Sequence, residues 1–534
     1  MTIWNSELDT RDAAGAENRA AMEAALEAVV AVRDAVEAAA EAGRGRYEKR
    51  GMVLPRDRLA LLLDPGAPFV ELCPYAGFKR YDDKDGTGAG AGAIAGIGRV
   101  CGRSCVVIVD NFAVKGGTVT PDGLAKKLRL QEIARDNRLP VISLSQSGGA
   151  NLSYAHEVFI PGGRGFANQA RLSALGIPQI TVVHGSATAG GAYQPGLSDY
   201  VILVRNQATM YLAGPPLLKA ATGEIATDED LGGAAMHSQI SGVGDYLAEN
   251  DADGIRQARE IVAALPWPQD ADTRAYKPPL FPAEDLLALV PADPKHPYDC
   301  HEIIARLVDG SDFTEFKPEY DAATVCGHAR IEGHAIGIIA NNGPITAQGA
   351  AKAGQFIQLC DQAGVTLLFL HNTTGFLVGT EPERAGIIKH GSKMIQAVAN
   401  ARVPKLSVVV GGSYGAGNYA MCGRGFDPRF IFAWPNARTS VMGPAQAGQV
   451  LRIVAEAKMR AAGALDEARL DALEQGTAAM MAEQTTALAS SARLEDDGII
   501  DPRQTRDILA IVLGLTASEG ARAVRPNTFG VARL

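Results

Sequence analysis

The 534-residue chain has few aromatic residues and no excess of basic ones, and these shortages exclude whole classes of protein. Aromatic residues make up only 6% of the chain, but hydrophobic residues make up 47%, which is too many for a disordered protein. Lys and Arg number 51 against 60 Asp and Glu, so the net charge is −9 and no nucleic-acid-binding surface is expected. No stretch approaches the roughly 18 uncharged apolar residues of a membrane-spanning helix.

Cysteine and targeting signals are also scarce. The seven cysteines are odd in number, and only Cys101 and Cys105 lie close together, with no second pair that would complete a zinc ribbon. We therefore interpret them as reduced core residues and predict no metal site. Residues 1–26 contain acids throughout and no apolar segment, so neither a signal peptide nor a transit peptide is predicted. The expected location is the cytoplasm.

Glycine, by contrast, is abundant: 59 of 534 residues, or about 11%, where about 7% is usual. These glycines do not recur at every third position, which excludes a collagen-like chain. Glycine is needed where the backbone turns left-handed or where a ligand approaches it closely. The excess therefore indicates backbone geometry that other residues would not allow.

The order of predicted elements indicates an α/β fold. Short β-rich runs alternate with helical segments, as in βαβ units. The runs lie at 105–110, 140–145, 179–185 and 200–204. An Ala- and Glu-rich stretch at 17–41 predicts a long helix, which we assign to an N-terminal helical arm, residues 1–42. Eight of the 28 prolines lie at 266–297 and predict a linker, although an ordered proline-rich loop is the alternative. The two predicted domains are therefore 43–275 and 276–534.

These two domains contain matching motifs. Aligning Leu144 with Leu370 fixes a constant difference in residue number, which is 226. The same offset relates Gly123 to Gly349, Lys126 to Lys352, Gly149 to Gly375, Gly185 to Gly411, Gly191 to Gly417 and Tyr193 to Tyr419. One constant offset over about 70 residues indicates an internal repeat. Two unrelated strand–turn–helix units are the alternative.

Each repeat places a glycine cluster directly after a β-rich run. The clusters are VVHGSATAGGAY at 182–193 and VVVGGSYGAGNY at 408–419. Small residues at the start of a helix leave backbone N–H groups unobstructed, which is what a hole for an oxyanion requires. A second turn lies beside each cluster, SGGAN at 147–151 and TTGF at 373–376. We therefore predict one anion hole in each repeat; tight turns with close helix–strand packing are the alternative.

Motifs of other enzyme classes fit poorly. GGSYG at 411–415 has the form of a hydrolase nucleophile elbow, but no histidine follows Ser413 in the chain. GAGNYA at 415–420 and the glycine-rich run at 86–96 match a dinucleotide fingerprint only loosely, because the first lies late in its domain and the second follows a polar segment. No Walker motif, triad, metal cluster or acid pair is recognisable. This pattern suits a reaction whose proton transfers involve a bound cofactor or the substrate itself.

At these motifs the chain resembles the carboxyltransferase (β) subunit of biotin-dependent acyl-CoA carboxylases, and most of all the methylcrotonyl-CoA and geranyl-CoA carboxylases. The resemblance extends from about Gly43 to the C-terminus. The matching stretches are SGGANL (147–152), FANQARLSALGIPQITVVHGSATAGGAY (166–193), LAGPPLLKAATGE with DLGGA (212–234), NNG (341–343), QLCDQ (358–362), LLFLHNTTGFLVG (367–379), GGSYGAGNYAMCGR (411–424), WPNAR (434–438) and DDGIIDPRQTRDIL (496–509).

This resemblance implies a fold and a reaction. The implied fold is two tandem crotonase-like β/α spiral domains of the ClpP/crotonase superfamily, related by duplication. In that family the first domain binds acyl-CoA and the second binds carboxybiotin, often across a dimer interface. Carboxybiotin releases CO₂, and the biotin ureido anion that remains takes up a proton of the thioester. The resulting enolate or dienolate attacks CO₂. One anion hole holds the enolate oxygen, and the other holds the ureido oxygen of biotin.

The resemblance also implies site residues. The implied catalytic backbone groups are those of Gly190, Gly191, Gly415, Ala416 and Gly417. The implied substrate-binding residues are Gly148, Gly149, Gly165, Ala167 and Ala189. The implied biotin-binding residues are Asn341, Asn342, Thr374 and Gly375.

Partners follow from the segments that the chain lacks. It has no A-M-K-M biotin-attachment sequence, because EAKMR at 456–460 does not fit the pattern, and no nucleotide site for carboxylating biotin is recognisable. The resemblance therefore implies a separate α subunit with biotin carboxylase and biotin carboxyl carrier parts. The implied assembly is an α6β6 holoenzyme built on a β hexamer, without nucleic acid or membrane partners.

Acyl specificity is the point at which the chain departs from the methylcrotonyl pattern. Enzymes of that type show R-[IT]-F-[YF]-N-Q-A, whereas this chain reads RGFANQA at 164–170. Gly165 and Ala167 replace larger side chains, which predicts a wider pocket for a branched 2-enoyl-CoA such as geranyl-CoA; both residues facing away from the pocket is the alternative. Other interpretations left open are a carboxyltransferase for 3-methylcrotonyl-CoA, propionyl-CoA or longer saturated chains, a crotonase-fold hydratase or decarboxylase, and a non-catalytic assembly subunit.

Overall fold

The computed structural model describes residues 2–6, 8–269, 275–291, 296–522 and 524–531. The chain forms two compact units, which we name by the half of the chain that dominates each. The N-unit comprises residues 31–272, 492–494 and 515–534. The C-unit comprises residues 1–30, 273–491 and 495–514.

The units differ from the predicted domains at both ends of the chain. Residues 1–30 belong to the C-unit, where the strand Thr2–Ile3 pairs with the strand Asp312–Glu315. Residues 515–534 belong to the N-unit, where the Arg522 guanidinium donates a hydrogen bond to Asn137 O. Residues 270–274 and 292–295 of the predicted proline-rich linker lie outside the described residues.

The elements alternate along the chain as an α/β fold requires. The strands are β1 Thr2–Ile3, β2 Phe69–Glu71, β3 Ala93–Val100, β4 Arg103–Asp110, β5 Val141–Ser147, β6 Gln179–Thr188, β7 Tyr200–Val204, β8 Thr209–Tyr211, β9 Tyr246–Ala248, β10 Asp312–Glu315, β11 Thr324–Ile331, β12 His334–Asn341, β13 Thr366–Thr373, β14 Lys405–Tyr414, β15 Phe430–Ala433 and β16 Arg438–Ser440. The helices are α1 Ala13–Glu41, α2 Arg44–Glu48, α3 Pro55–Leu62, α4 Pro121–Asn137, α5 Ala155–Ala174, α6 Gly190–Gly196, α7 Pro215–Thr222, α8 Asp228–Gly232, α9 Ala234–Met236, α10 Asp251–Ala264, α11 Leu286–Leu289, α12 Cys300–Leu307, α13 Ala347–Ala363, α14 Thr380–Arg384, α15 Ile387–Asn400, α16 Gly415–Ala420, α17 Pro444–Ala461, α18 Glu467–Gln484, α19 Ala487–Ala492 and α20 Thr505–Ser518.

Each unit is built on one mixed sheet, so the predicted α/β class is confirmed. In the N-unit the strand order is β2-β3-β4-β5-β6-β7-β9, and β8 also pairs with β6. In the C-unit the order is β1-β10-β11-β12-β13-β14-β15, and β16 also pairs with β14. The first three strands of the N-unit path pair antiparallel and the rest pair parallel. The C-unit shows the same change from antiparallel to parallel pairing at β12.

The central strands are buried on both faces, as continuous apolar runs predict for parallel sheets. All residues of β5 are buried, and so are the first seven residues of β14, 405–411. The N-unit core gathers apolar side chains of the sheet, such as Val107 and Val182, with those of α3 and α10. In the C-unit, Phe356 and Phe369 belong to the corresponding core of sheet and helix residues.

The constant offset found in the sequence also relates whole elements. Strands β6 and β14 begin at residues 179 and 405 and end at 188 and 414. Helices α4 and α13 begin at residues 121 and 347 and end at 137 and 363. Each helix is capped by a threonine, since Thr120 and Thr346 accept hydrogen bonds from the third N–H of their helices.

Candidate active site

Both sheets interrupt their regular pairing near the carboxyl ends of two parallel strands. In the N-unit, Ser145 of β5 pairs with Val183 of β6. The next pair joins Ser147 to Ala187, so one residue on β5 lies opposite three on β6. The matching pairs of the C-unit are His371 with Val409 and Thr373 with Ser413. Irregular pairing of this kind redirects side chains beside active sites, and ligands of α/β sheets bind at carboxyl strand ends.

The turn that follows β5 is closed by a hydroxyl group. Ser147 Oγ accepts the N–H of Gly149 at 3.2 Å, and the carbonyl of Gly149 accepts the N–H of Val119 at 2.8 Å. The N–H of Gly148 donates to Gly117 O at 3.2 Å. The C-unit repeats the first two bonds, from Gly375 to Thr373 Oγ1 at 3.2 Å and from Ile345 to Gly375 O at 2.9 Å. These glycine amides are therefore used within the turns and shape them.

The strand beside each turn ends at a corner with an unusual backbone conformation. Ala189 follows β6 with a φ of 54°, and Gly415 follows β14 with a φ of 55°. A positive φ costs a residue with a Cβ roughly 1–2 kcal/mol, and such strain clusters at functional sites. Helices α6 and α16 begin at these corners, so their first N–H groups have no acceptor inside the helix. The residues concerned are Gly190 and Gly191 in the N-unit and Gly415, Ala416 and Gly417 in the C-unit.

The second or third residue of each short helix has little room for a side chain. A Cβ built on Gly191 would lie 3.1 Å from Ser147 Oγ. A Cβ built on Gly417 would lie 2.9 Å from the Cα of Gly375 and 3.0 Å from Thr373 Cγ2. Each helix start therefore packs directly against the turn of the neighbouring strand, which brings the two predicted motifs of each repeat together.

One aromatic residue beside the N-unit corner was missed by the sequence analysis. The ring of Phe166 would lie 3.8 Å from a Cβ on Gly190, and it makes an edge-to-face contact with the half-exposed Tyr193. Gly165 faces α4 instead: its carbonyl accepts a hydrogen bond from Gln131 at 3.0 Å, and its Cβ would point toward a leucine of that helix. Ala167 is half-buried on α5.

The predicted biotin-binding residues of the C-unit divide into two groups. Thr374 is exposed in the turn beside Gly417, and Gly375 has a φ of 112°. Asn341 is fully buried, and its Oδ1 faces the backbone N–H of Asn372. Asn342 binds within the unit, where its Oδ1 accepts the N–H of Cys300 at 2.7 Å. Asn342 is thus bound within the unit, whereas Nδ2 of the buried Asn341 has no hydrogen-bond partner among the described residues.

Comparison with known proteins identifies the family. The carboxyl transferase domain model matches residues 46–528. The chain belongs to the carboxyl transferase domain family. It is 61% identical to the geranyl-CoA carboxylase beta subunit of P. aeruginosa, whose crystal structure superposes with a TM-score of 0.94 over 100% of both chains. The predicted resemblance and carboxyltransferase activity are therefore confirmed at the level of the family.

Two curated relatives from Mycobacterium tuberculosis also match this carboxyl transferase along most of their length. The biotin-dependent 3-methylcrotonyl-coenzyme A carboxylase beta1 subunit is 50% identical over 485 residues, which cover 89% of this chain and 91% of that protein. A probable biotin-dependent acyl-coenzyme A carboxylase beta2 subunit is 48% identical over 492 residues, covering 92% of each. Among the described residues, no helix of the carboxyl transferase is long and apolar enough to cross a membrane.

A buried charged cluster lies behind the N-unit site. The guanidinium of Arg58, on α3, donates to Asp251 Oδ2 at 3.0 Å and to Gln146 Oε1 at 3.2 Å. His184 Nδ1 lies 2.7 Å from Asp251 Oδ1. Burial lowers the pKa of His184 to about 4, so the ring is neutral at pH 7 and its Nδ1–H donates to the carboxylate. Burial alone would raise the pKa of Asp251, but the hydrogen bond from His184 and the charge of Arg58 hold it below its ordinary value.

The corresponding region of the C-unit is held by neutral groups. His371 Nδ1 lies 2.9 Å from Ser413 Oγ, and Asn418 Nδ2 donates to the same oxygen at 2.8 Å. The amide of Asn436 donates to Val410 O at 3.1 Å. Burial lowers the pKa of His371 to about 3, so this ring is also neutral. Among the described residues, therefore, the two anion-hole regions share a backbone but not a set of charges.

Metal-ligating side chains gather at one place among the described residues, Asp299, Cys300 and His301. The His301 ring is already engaged on both sides, 2.6 Å from Asp299 and 3.1 Å from Glu315. Burial alone would lower the pKa of His301, but these two carboxylates raise it to about 9. The Lys352 ammonium lies 3.5 Å from Glu315 and supplies a second positive charge. The cluster is thus balanced by the protein's own cations.

Proposed function

We propose that this carboxyl transferase is the β subunit of a biotin-dependent acyl-CoA carboxylase that carboxylates a branched 2-enoyl-CoA. The observation that carries the proposal is the match to the geranyl-CoA carboxylase beta subunit over the full length of both chains, at 61% identity. The 50% identity to a 3-methylcrotonyl-coenzyme A carboxylase beta1 subunit supports the same class of substrate. Geranyl-CoA is the acyl group that we propose first.

In this proposal the N-unit stabilises the enolate. The N–H groups of Gly190 and Gly191 open onto the exposed corner after β6, where a thioester oxygen can accept both. Backbone donors that are fixed before the reaction stabilise charge as it develops, and losing one costs about 2.7–4 kcal/mol of barrier. Gly148 and Gly149 support the hole through the turn against which Gly191 packs. Ala189 sets the direction of the helix start.

In the same proposal the C-unit holds the biotin ureido group. The fit of the ureido group to this unit rests on the first N–H groups of α16. The N–H of Ala416 lies at an exposed position, beside the exposed side chain of Thr374. Carboxybiotin bound there would supply the CO₂, and the biotin ureido anion left after CO₂ release would accept the proton that the thioester loses. Gly415, Ala416 and Gly417 donate to the ureido oxygen, and Gly375 shapes the turn beside them. Asn341 would serve this site through the backbone of Asn372, which precedes the turn at 373–376, and Asn342 is the next residue along the chain.

We also propose that the two units arose by duplication of one crotonase-like β/α spiral domain. The constant offset in residue number, the matching ends of β6 and β14, and the shared strand order support this proposal. The predicted domain limits, 43–275 and 276–534, describe the duplicated segments along the sequence, and residues 1–42 precede them.

The proposed partner is an α subunit that carries biotin carboxylase and biotin carboxyl carrier parts. All three relatives described above are named as beta subunits, a name that implies a second kind of subunit in the same enzyme. We propose a β hexamer within an α6β6 holoenzyme, located in the cytoplasm.

The acyl pocket is proposed to lie beside Phe166. This ring and Tyr193 supply apolar surface next to Gly190, where a geranyl chain would leave the thioester. We propose that Gly165 leaves space between α5 and α4, where a Cβ would lie 3.9 Å from Leu128 Cδ2, and that Ala167 removes bulk on the same helix. Placing larger residues at these two positions should therefore favour shorter acyl groups.

The test is a carboxylation assay on the reconstituted holoenzyme. Fixation of labelled bicarbonate is measured with geranyl-, 3-methylcrotonyl- and propionyl-CoA at matched concentrations. We expect the highest kcat/KM with geranyl-CoA, followed by 3-methylcrotonyl-CoA. A clear preference for propionyl-CoA would overturn the proposed acyl group, and no product with any of them would overturn the proposed reaction.

A further inference from the structure

The interrupted pairing of β5 and β6 leaves one buried side chain opposite three residues of the neighbouring strand. Gln146 lies between the pairs that Ser145 and Ser147 make, and it is 3% exposed. Its side chain occupies the space beside Gly185, where a Cβ would lie 2.8 Å from Gln146 Nε2. The glycine is therefore needed to admit the glutamine into the break.

A buried ion pair reaches both strands at this break. Arg58 and Asp251 are 0% and 2% exposed. Arg58 donates to the side chain of Gln146 on β5, while Asp251 accepts from His184 on β6. Asp251 also accepts the N–H of Val53 at 2.9 Å. One ion pair from α3 and α10 thus clamps the two strands at the residues that their own ladder leaves unpaired.

A second carboxylate holds the backbone at the same point. Asp110, the last residue of β4, accepts the backbone N–H of Gln146 at 3.2 Å and the hydroxyl of Ser145 at 3.3 Å. Lys127 lies 3.2 Å from its other oxygen. The residue after Gln146 is Ser147, whose hydroxyl closes the turn and lies where Gly191 makes its closest approach. Fixing Gln146 therefore fixes Ser147, and Ser147 fixes the distance to the amides of the helix start.

We propose that Arg58, Asp251, His184 and Asp110 form a positioning cluster for the acyl-side anion hole. The cluster acts through Gln146 and Ser147, and it keeps Gly149 and Gly191 at a fixed distance from each other. The role given to the anion hole rests on the proposed function. The contacts of the clamp do not depend on which acyl-CoA is bound.

The C-unit supplies the matched comparison within the same chain. At the constant offset, Asn372 stands at the position of Gln146, and Gly411 stands at the position of Gly185. Asn341, at the end of β12, faces the N–H of Asn372 as Asp110 faces that of Gln146. The same break in strand pairing is therefore held by amides in the C-unit and by ions in the N-unit. Holding the two strands together at the break thus does not by itself require ions.

The test compares substitutions of Gln146 that differ in their reach. Gln146→Asn shortens the side chain by one methylene. It therefore loses the hydrogen bond from Arg58 but keeps an amide at the break, as in the C-unit. Gln146→Glu keeps the length and an oxygen for Arg58 and serves as the conservative rescue. Arg205→Met is the control, because it removes an arginine–carboxylate pair of the same unit at the surface, Arg205 with Glu249.

We expect Gln146→Asn in the holoenzyme to lower kcat about 10- to 100-fold, since small displacements of catalytic groups cost this much, with little change in the KM for acyl-CoA. The kcat of Gln146→Glu and that of Arg205→Met should stay near the kcat of the unaltered enzyme. Arg58→Met combined with Gln146→Asn should be no worse than the poorer single variant, because both act through one contact.

Amide hydrogen exchange supplies a readout that turnover does not affect. In Gln146→Asn we expect faster exchange in the segments 145–152 and 184–191 and unchanged exchange in 371–378. The positioning role is overturned if kcat and these segments stay unchanged, if exchange rises across the whole N-unit, or if Gln146→Glu loses as much activity as Gln146→Asn. If the unaltered holoenzyme carboxylates no acyl-CoA, the proposed function fails, while the exchange result still tests the clamp.

Discussion

The two units present the same backbone device with different side chains behind it. In each, a turn closed by a hydroxyl, Ser147 or Thr373, packs against the first amides of a short helix. Behind the N-unit turn lie an arginine and two carboxylates, whereas amides and a hydroxyl occupy the matching region of the C-unit. The two units therefore share the backbone arrangement of turn and helix start, while the side chains behind it differ.

The difference has an energetic meaning. A buried ion pair seldom adds net stability compared with neutral packing, but removing one partner is very costly because the other charge is left alone. The N-unit therefore depends on its cluster more than the C-unit depends on its amides. The predictions that follow test this asymmetry, from the largest expected effect to the smallest.

Removing one charge of the cluster should have the largest effect on stability. We expect Asp251→Ala to lower the free energy of unfolding of the N-unit by about 3–5 kcal/mol, because Arg58 would remain buried without its carboxylate. Urea denaturation followed by hydrogen exchange in the two units measures this. Glu249→Ala, which breaks the exposed pair with Arg205, is the control. It should change the free energy of unfolding by less than about 1 kcal/mol. A loss of similar size in both variants would contradict the asymmetry.

Filling the close contact at the helix start should have the largest effect on turnover. We expect Gly191→Val and Gly417→Val each to lower kcat by about 10²–10³-fold, because the new side chain displaces the amides from the turn. Steady-state assays of the holoenzyme measure the effect, and circular dichroism checks the fold. Gly196→Ala, at the other end of α6 where a Cβ meets no atom within 4 Å, should keep full activity. If Gly196→Ala were as damaging as Gly191→Val, the contact with Ser147 would not be the reason.

Acid should weaken the N-unit through His184. The pKa of this ring is about 4 in the folded chain and near 6.5 when unfolded. The unfolded state therefore binds more protons, and stability falls as the pH drops from 6.5 toward 4, by about 1.4 kcal/mol per pH unit. Urea midpoints between pH 7 and pH 5 measure the slope. His184→Asn, which keeps a donor for Asp251, should flatten the slope of the N-unit; an unchanged slope there would show that other groups cause it.

The smallest effect is expected at the two corners. Ala189 and Gly415 share a φ near +55°, but only Ala189 carries a Cβ in that conformation. We expect Ala189→Gly to raise and Gly415→Ala to lower the stability of the respective unit by about 1 kcal/mol. Differential scanning calorimetry of both variants measures the shifts. Shifts of the same sign would contradict an origin in the backbone conformation.

The repeated motifs were sufficient to predict much of the fold because a constant offset survives in the sequence. That offset anticipated the paired strands β6 and β14 and the paired helices α4 and α13. It could also have revealed Ser147 and Thr373, which are both hydroxyl residues at matching positions. No such signal showed that residues 1–30 belong to the C-unit and residues 515–534 to the N-unit. These assignments depend on contacts such as the hydrogen bond from Arg522 to Asn137 O.

The candidate site was predictable only in part. Glycine clusters indicated where each strand turns into a short helix, because such corners need positive φ or close packing. That the first amides of these helices bind anions stays a prediction. The biotin-binding roles of Asn341 and Asn342 stay predictions, because motif resemblance does not give the direction of a side chain. The cluster behind the site was invisible for another reason: Arg58 and Asp251 are 193 residues apart, and neither lies in a matching motif.

The most direct test is fixation of labelled bicarbonate into acid-stable product by the reconstituted holoenzyme, with geranyl-CoA as acceptor, for the unaltered chain and for Gly191→Val. We predict product with the unaltered chain and a loss of about 10²–10³-fold with Gly191→Val, while the biotinylated partner still binds. Equal rates with the two proteins would contradict the proposal that the amides of Gly190 and Gly191 hold the enolate.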